Sequence, residues 1–103
     1  MGIRIRHYKR RRRDKKPSVY RVMQDGDGVS GTVWLDPVLK KKRHQDLKRG
    51  ILKHELTEID AWAKGKTNPH TIASRAEPKV TKKLGGERGF WAEIAKRERR
   101  VSK

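Results

Sequence analysis

The sequence holds one constellation of residues suited to bond-breaking chemistry. It is His54-Glu55-Leu56-Thr57-Glu58, followed by His70 and then Glu77. Four residues along a helix turn through about 400°, so His54 and Glu58 project from nearly the same side. Glu55, next to His54, reaches the edge of the same pocket. His70, Ala73 and Glu77 follow the i, i+3, i+7 spacing that places side chains on one face of a second helix. If that helix folds back on the first, His54, Glu58 and His70 converge. Two imidazoles and one carboxylate are a ligand set that Zn2+ accepts while keeping a position open for water. Glu55 is then placed to act as the general base that takes a proton from that water. The same residues also fit an ordinary solvated helix face, with Glu58 pairing with Lys53 and the acids offsetting nearby positive charge.

The spacing resembles the zincin signature H-E-x-x-H with Glu58 in the place of the second histidine. With Gly65, Pro69-His70-x-x-Ala73 and Glu77, the stretch 31–78 resembles short zincin-like proteins of phages and mobile elements. That resemblance implies a trimmed metallopeptidase core: a strand, an H-E-x-x-E helix and a helix carrying another histidine. It implies zinc on His54, Glu58 and His70, Glu55 as the catalytic residue, and metallopeptidase-like hydrolysis.

Positioning such a site requires a hairpin and helices. Ser18–Met23 has the β-branched and aromatic content of a strand, and Gly31–Leu35 reads as the returning strand. Between them, residues 24–28 are rich in Asp and Gly and predict a longish hairpin loop. Asp36-Pro37 fits a cap followed by proline in the first helical position, opening a short helix through Val38 and Leu39. From about His44 to Ala63 the pattern is helical, with Leu47, Ile51 and Trp62 on one face and Leu52, Leu56, Ile59 and Ala63 on the next. Gly50 marks either a close contact or a break in that helix, and Gly65 is placed to end it. Asn68-Pro69 opens a second helix over about 70–77, stopped by Pro78. The glycines of 82–89 predict a loop, and Phe90 to Ala95 begin a third helix that Phe90 and Trp91 anchor. Lys96–Arg100 then read as a solvated end. The expected fold class is α+β: an N-terminal β-hairpin followed by two or three helices, with flexible basic arms. The expected divisions are a basic arm over 1–17, a single small domain over 18–95 and a basic tail over 96–103.

The 103 residues carry a net charge of +17, unevenly spread: +8 over 1–17, +3 over 18–70 and +6 over 71–103. Four adjacent guanidiniums, Arg10 to Arg13, cannot pack in a core, so the first segment is expected to stay extended unless an anion orders it. Nucleic-acid phosphate is the obvious anion, with Arg4, Arg6, Lys9, Arg10, Arg11, Arg12, Arg13, Lys15, Lys16, Lys40, Lys41, Lys42 and Arg43 as the candidate contacts. A second reading of the chain follows: a nucleic-acid-associated structural protein of a virion, chromatin or ribosome, or a subunit completed by an assembly.

Other classes fall away. With no cysteine there is no disulfide framework or thiol nucleophile. No apolar run is long enough for a membrane span and no signal-peptide h-region is visible, so a cytoplasmic or virion-associated protein without a membrane partner is expected. Residues 85–89 lack the Lys-Ser/Thr end of a P-loop. Asp25-Gly26-Asp27-Gly28 lacks the later acidic ligands of a calcium loop. His7 and His44 stand apart from the cluster.

Overall fold

Alternation of side chains decides where the chain becomes a sheet. The structure, a computed structural model, describes residues 2–10, 13–26 and 28–101. Three strands form its sheet: β1 (Gly2–His7), β2 (Ser18–Asp25) and β3 (Gly28–Leu35). Their order is β1-β3-β2, with β2 antiparallel to β3 and β1 parallel to it. In β3 the residues Val29, Val33 and Leu35 point inward and are buried. The paired positions Tyr20 and Val22 on β2 and Ile3 on β1 pack against the same core. The ladder continues past β1, where the Tyr8 amide donates to the Leu35 carbonyl at 3.0 Å.

The first part of the expected basic arm is therefore a strand. Gly2–His7 alternates Ile3, Ile5 and His7 with Arg4 and Arg6, a period of two that gives a sheet one apolar and one charged face. Charge density alone hid that pattern. Arg11 and Arg12, at the centre of the arginine run, lie outside the described residues, as do Met1, Asp27, Ser102 and Lys103. The hairpin is tighter than expected: Asp25 pairs with Gly28, so only two residues separate the strands. Gly31 sits where β2 and β3 nearly touch, and a Cβ there would lie 2.2 Å from the Arg21 carbonyl oxygen.

Two single turns of 3-10 helix, Pro37–Lys40 and Lys42–His44, lead into the helices. The first is capped by Asp36, whose side chain accepts a hydrogen bond from the Val38 amide at 2.9 Å. Helix α1 (Gln45–Ala63) follows and runs unbroken through Gly50. A Cβ at Gly50 would lie 2.3 Å from the Thr81 hydroxyl, so this glycine marks a close helix contact rather than a break. The end of α1 is a Schellman turn: Gly65 has φ +75°, and Lys66 donates to Ala61 at 3.0 Å. Helix α2 (Pro69–Ala76) begins on its proline, and a short α3 (Lys79–Lys82) follows Pro78. Helix α4 (Glu87–Val101) starts three residues before Phe90, so Arg88 and Gly89 are helical rather than loop.

Leu35, Leu39, Leu47 and Ile59 are fully buried, and Phe90 and Ile94 complete the core from α4. Trp62, expected on the core face of α1, is exposed near the helix end. The expected solvated end is held at two residues, Arg97 and Glu98, while Lys96, Arg99 and Arg100 are exposed. Arg97 forks onto both oxygens of Asp46 at 2.7 and 2.9 Å and also bonds Glu93 and the Arg43 carbonyl. Glu98 gathers Lys41, Arg43 and His44. Opposite charges spaced to meet across α1 and α4 fix what residue charge alone reads as a loose end. No helix among the described residues is long and apolar enough to cross a membrane.

The Arg97 guanidinium holds Asp46 below the usual carboxylate range, and Arg43 with His44 holds Glu98 down to about 2. Replacing Arg97 by Gln is expected to lower unfolding free energy by about 1–2 kcal/mol, the range for charge-assisted bonds discounted for the exposure of Asp46. Urea melts measure this directly. Because both folded pKa values are depressed, the stability they contribute is complete above the unfolded carboxylate value and lost as pH falls through the folded one. The wild-type and Arg97→Gln stabilities should therefore converge in acid.

Candidate metal centre

Helix α1 turns its His54–Glu58 edge toward α2, and the backbone reversal at Gly65 brings α2 alongside. Ala73, small and fully buried, packs between the two helices and lets them approach. Its face-mates His70 and Glu77 are thereby carried to the same edge of α1. Glu77 caps the end of α2. From the other side, Tyr20 on β2 reaches across.

These side chains meet in an open cavity of about 690 Å³. Glu58 is its centre. One carboxylate oxygen, Oε1, accepts a hydrogen bond from the Tyr20 hydroxyl at 2.9 Å. The other, Oε2, lies 3.1 Å from His54 Nε2 and 3.2 Å from His70 Nδ1. The two imidazole rings sit edge to face with centroids 4.9 Å apart. His54 Nδ1 is meanwhile 2.6 Å from Glu77 Oε1. Glu55 is 3.9 Å from His54 Nε2 and largely buried. Desolvation, helped by the charge of Glu58, pushes its carboxyl up to about 7. Tyr20 is pushed up to about 12 by burial and by its bond to Glu58.

His54 thus faces a carboxylate at each ring nitrogen. A neutral imidazole has only one N–H to donate. If Nδ1–H serves Glu77, the Nε2 lone pair points at Glu58 Oε2, and His70 Nδ1 converges on that oxygen. Either an imidazolium or a bound cation satisfies this arrangement. One donor atom each from His54, Glu58 and His70 lies within 4.8 Å of the others. The two separations from Glu58 Oε2 are close to the edge of a tetrahedron built on zinc bonds of 2.0–2.1 Å, about 3.3 Å. The donor set therefore fits a small divalent cation. The surroundings fit as well: Glu55, Glu58, Glu77 and Glu87 all line this one cavity in a chain of +17.

No family model matches this chain, no curated protein matches it, and no solved structure matches it. The geometry of the site is what speaks for its chemistry.

Every residue of the sequence-derived cluster is at this site. One further member, Tyr20, comes from the structure. Glu77 is visible in the sequence as a face-mate of His70, but its pairing with His54 depends on the angle between α1 and α2. Tyr20 lies 38 residues before Glu58, on a strand, and no local pattern links them. The candidate phosphate contacts are dispersed. Arg4 and Arg6 are exposed on β1. Lys9, Arg10, Arg13, Lys15 and Lys16 belong to the segment between β1 and β2, with Lys16 at the cavity rim. Lys40 and Lys42 are exposed in the 3-10 turns, whereas Lys41 and Arg43 are engaged with Glu98. His44 is fully buried with Nε2 2.9 Å from Glu98, and His7 is half-buried, its pKa lowered by desolvation and by Lys48 and Lys40.

Replacing Tyr20 by Phe keeps the ring and removes one bond to a part-buried carboxylate. A loss of about 1 kcal/mol in unfolding free energy is expected, read by urea denaturation of the metal-free protein.

Proposed function

We propose that this chain is a small zinc-binding protein with the machinery of a minimal metallohydrolase, acting on peptide bonds. The observation that carries this reading is the convergence of His54 Nε2 and His70 Nδ1 on one oxygen of Glu58. His54, Glu58 and His70 would hold the metal. When bound, zinc supplies Lewis acidity, polarising water and a substrate carbonyl.

The chain's own residues supply the rest. Glu77 accepts the Nδ1–H of His54, which fixes the tautomer and leaves Nε2 as the ligating nitrogen. Tyr20 holds the other oxygen of Glu58 and so orients that carboxylate. Glu55 accepts a proton from water and returns it to the leaving amine. The cavity also borders Ser18, Val19 and Tyr20 of β2, an outer strand of the sheet. An extended peptide can add along such an edge through main-chain hydrogen bonds, and this favours a peptide over a compact small molecule.

Metal analysis and a peptidase assay test the reading. Purified protein is expected to take up one equivalent of zinc, and the His54→Ala, His70→Ala double variant none. Glu55→Gln should keep the zinc and lose about 10²- to 10⁴-fold in hydrolysis of unstructured peptide. Folded wild-type protein without affinity for zinc would refute the metal reading. Zinc uptake without hydrolysis that depends on Glu55 would refute the enzymatic one. Glu77→Gln, which keeps a hydrogen-bond acceptor but removes the charge, is expected to weaken zinc affinity about 10- to 100-fold in competition with a chelator.

A further inference from the structure

The helices cover only one face of the sheet. Register places the side chains of the other face in rows. Arg4 and Arg21 flank Thr32, Arg6 and Val19 flank Trp34, and Gly2 and Met23 flank Ser30. None of these side chains belongs to the buried core, whose sheet residues are Val29, Val33 and Leu35. Arg4, Arg6 and Arg21 are exposed, Met23 is 65% exposed, and Trp34 is half-buried among them.

On the helical side Lys41, Arg43 and Arg97 are each tied to a carboxylate, whereas among the described residues Lys48, Arg49, Lys53 and Arg75 are not. What sets the open face apart is that its guanidiniums flank an aromatic ring. Among the described residues, Arg4, Arg6 and Arg21 have no carboxylate partner. On this face's alternation the acid is Asp25, at the far turn. Beyond the Arg6–Trp34 row, β1 ends and β2 begins, both opposite Leu35. The connecting segment carries Lys9, Arg10, Arg13 and Asp14 from that end of the sheet. It reaches the helical side by Lys15 and Lys16, where the Lys15 carbonyl accepts from Trp91 and Lys16 borders the cavity.

We infer that this open face binds a single-stranded nucleic acid, with Arg4, Arg6 and Arg21 on its phosphates and Trp34 stacked against a base. Free guanidiniums on a patch without neighbouring acids select a polyanion. An aromatic ring set between them on a flat surface selects one whose bases are unpaired and available for stacking. Arg4 and Arg6 are two residues apart on one strand, about 6.8 Å, a spacing suited to successive backbone positions of an extended strand. A duplex keeps its bases stacked on one another and would leave Trp34 unused. This surface is independent of the His54–Glu58–His70 site, so neither proposal falls with the other.

Fluorescence anisotropy with a labelled, mixed-sequence single-stranded DNA 20-mer tests it on the full chain. The single strand is expected to bind at least tenfold more tightly than the same sequence as a duplex. The triple variant Arg4→Gln, Arg6→Gln, Arg21→Gln should lose at least tenfold in affinity at moderate salt. Its slope of log affinity against log salt should fall by about 2, the value for three lost single-strand phosphate contacts. Trp34→Leu should weaken binding about tenfold without changing the slope, and Trp34→Phe should restore most of it. Circular dichroism and zinc uptake unchanged from wild type confirm that each variant is folded. The inference is overturned if the folded triple variant and Trp34→Leu bind as wild type does. It is also overturned if only neutralising Arg10, Arg13, Lys15 and Lys16 weakens binding. Equal affinity for the duplex, for poly-glutamate or for anionic vesicles would overturn it as well.

Discussion

One carboxylate joins the parts of this molecule. Glu58 takes a hydrogen bond from Tyr20 on the hairpin and faces imidazoles from its own helix and from α2. A part-buried carboxylate in a cavity with Glu55 and Glu77 is tolerable only when donors or a cation surround it. The contacts of Glu58 link the hairpin, α1 and α2 to one another. Removing either imidazole leaves Glu58 with fewer partners beside Glu55 and Glu77. The site is thus the point where the electrostatic cost of the fold is concentrated.

The rest of the chain follows a division of charge. Acids gather where elements meet: four line the cavity, and Asp46 and Glu98 fasten α4 to α1 and to the turns before it. On the bare face of the sheet, Arg4, Arg6 and Arg21 stand without a carboxylate partner among the described residues. A core this small, closed by Leu35, Leu39, Leu47, Ile59 and Phe90, leaves little stability to spare, and a bound ligand adds to it by mass action. Zinc at Glu58 and phosphate on the sheet would relieve two different electrostatic tensions, one of excess negative charge and one of excess positive charge.

Much of the fold was legible because its signals are local. The hairpin strands, the cap at Asp36-Pro37, the extent of α1 and the stop at Gly65 each depend on residues within a few positions. So does the pairing of His54 with Glu58, since helical spacing alone puts them on one side. What was not legible depends on distant partners. Ile3 and Ile5 make β1 a strand only because β3 has an open edge beside it. Lys96 to Arg100 read as a solvated end because Asp46, which anchors Arg97, is 51 residues away. Tyr20 joined the site, and Glu77 found His54, only through the packing of β2 and α2 on α1. The arginines of the N-terminal segment were weighed by number, whereas their alternation with isoleucine carried the structural information.

The central claim is that His54 and His70 share one cation with Glu58. Long-range 1H–15N NMR of the histidine rings, recorded as zinc is added, addresses it atom by atom. The account predicts that one equivalent shifts His54 Nε2 and His70 Nδ1 into the metal-bound range, leaves His54 Nδ1 protonated toward Glu77, and does not move His7 or His44. Unchanged His54 and His70 resonances, or a response at His7 or His44 in their place, would contradict it.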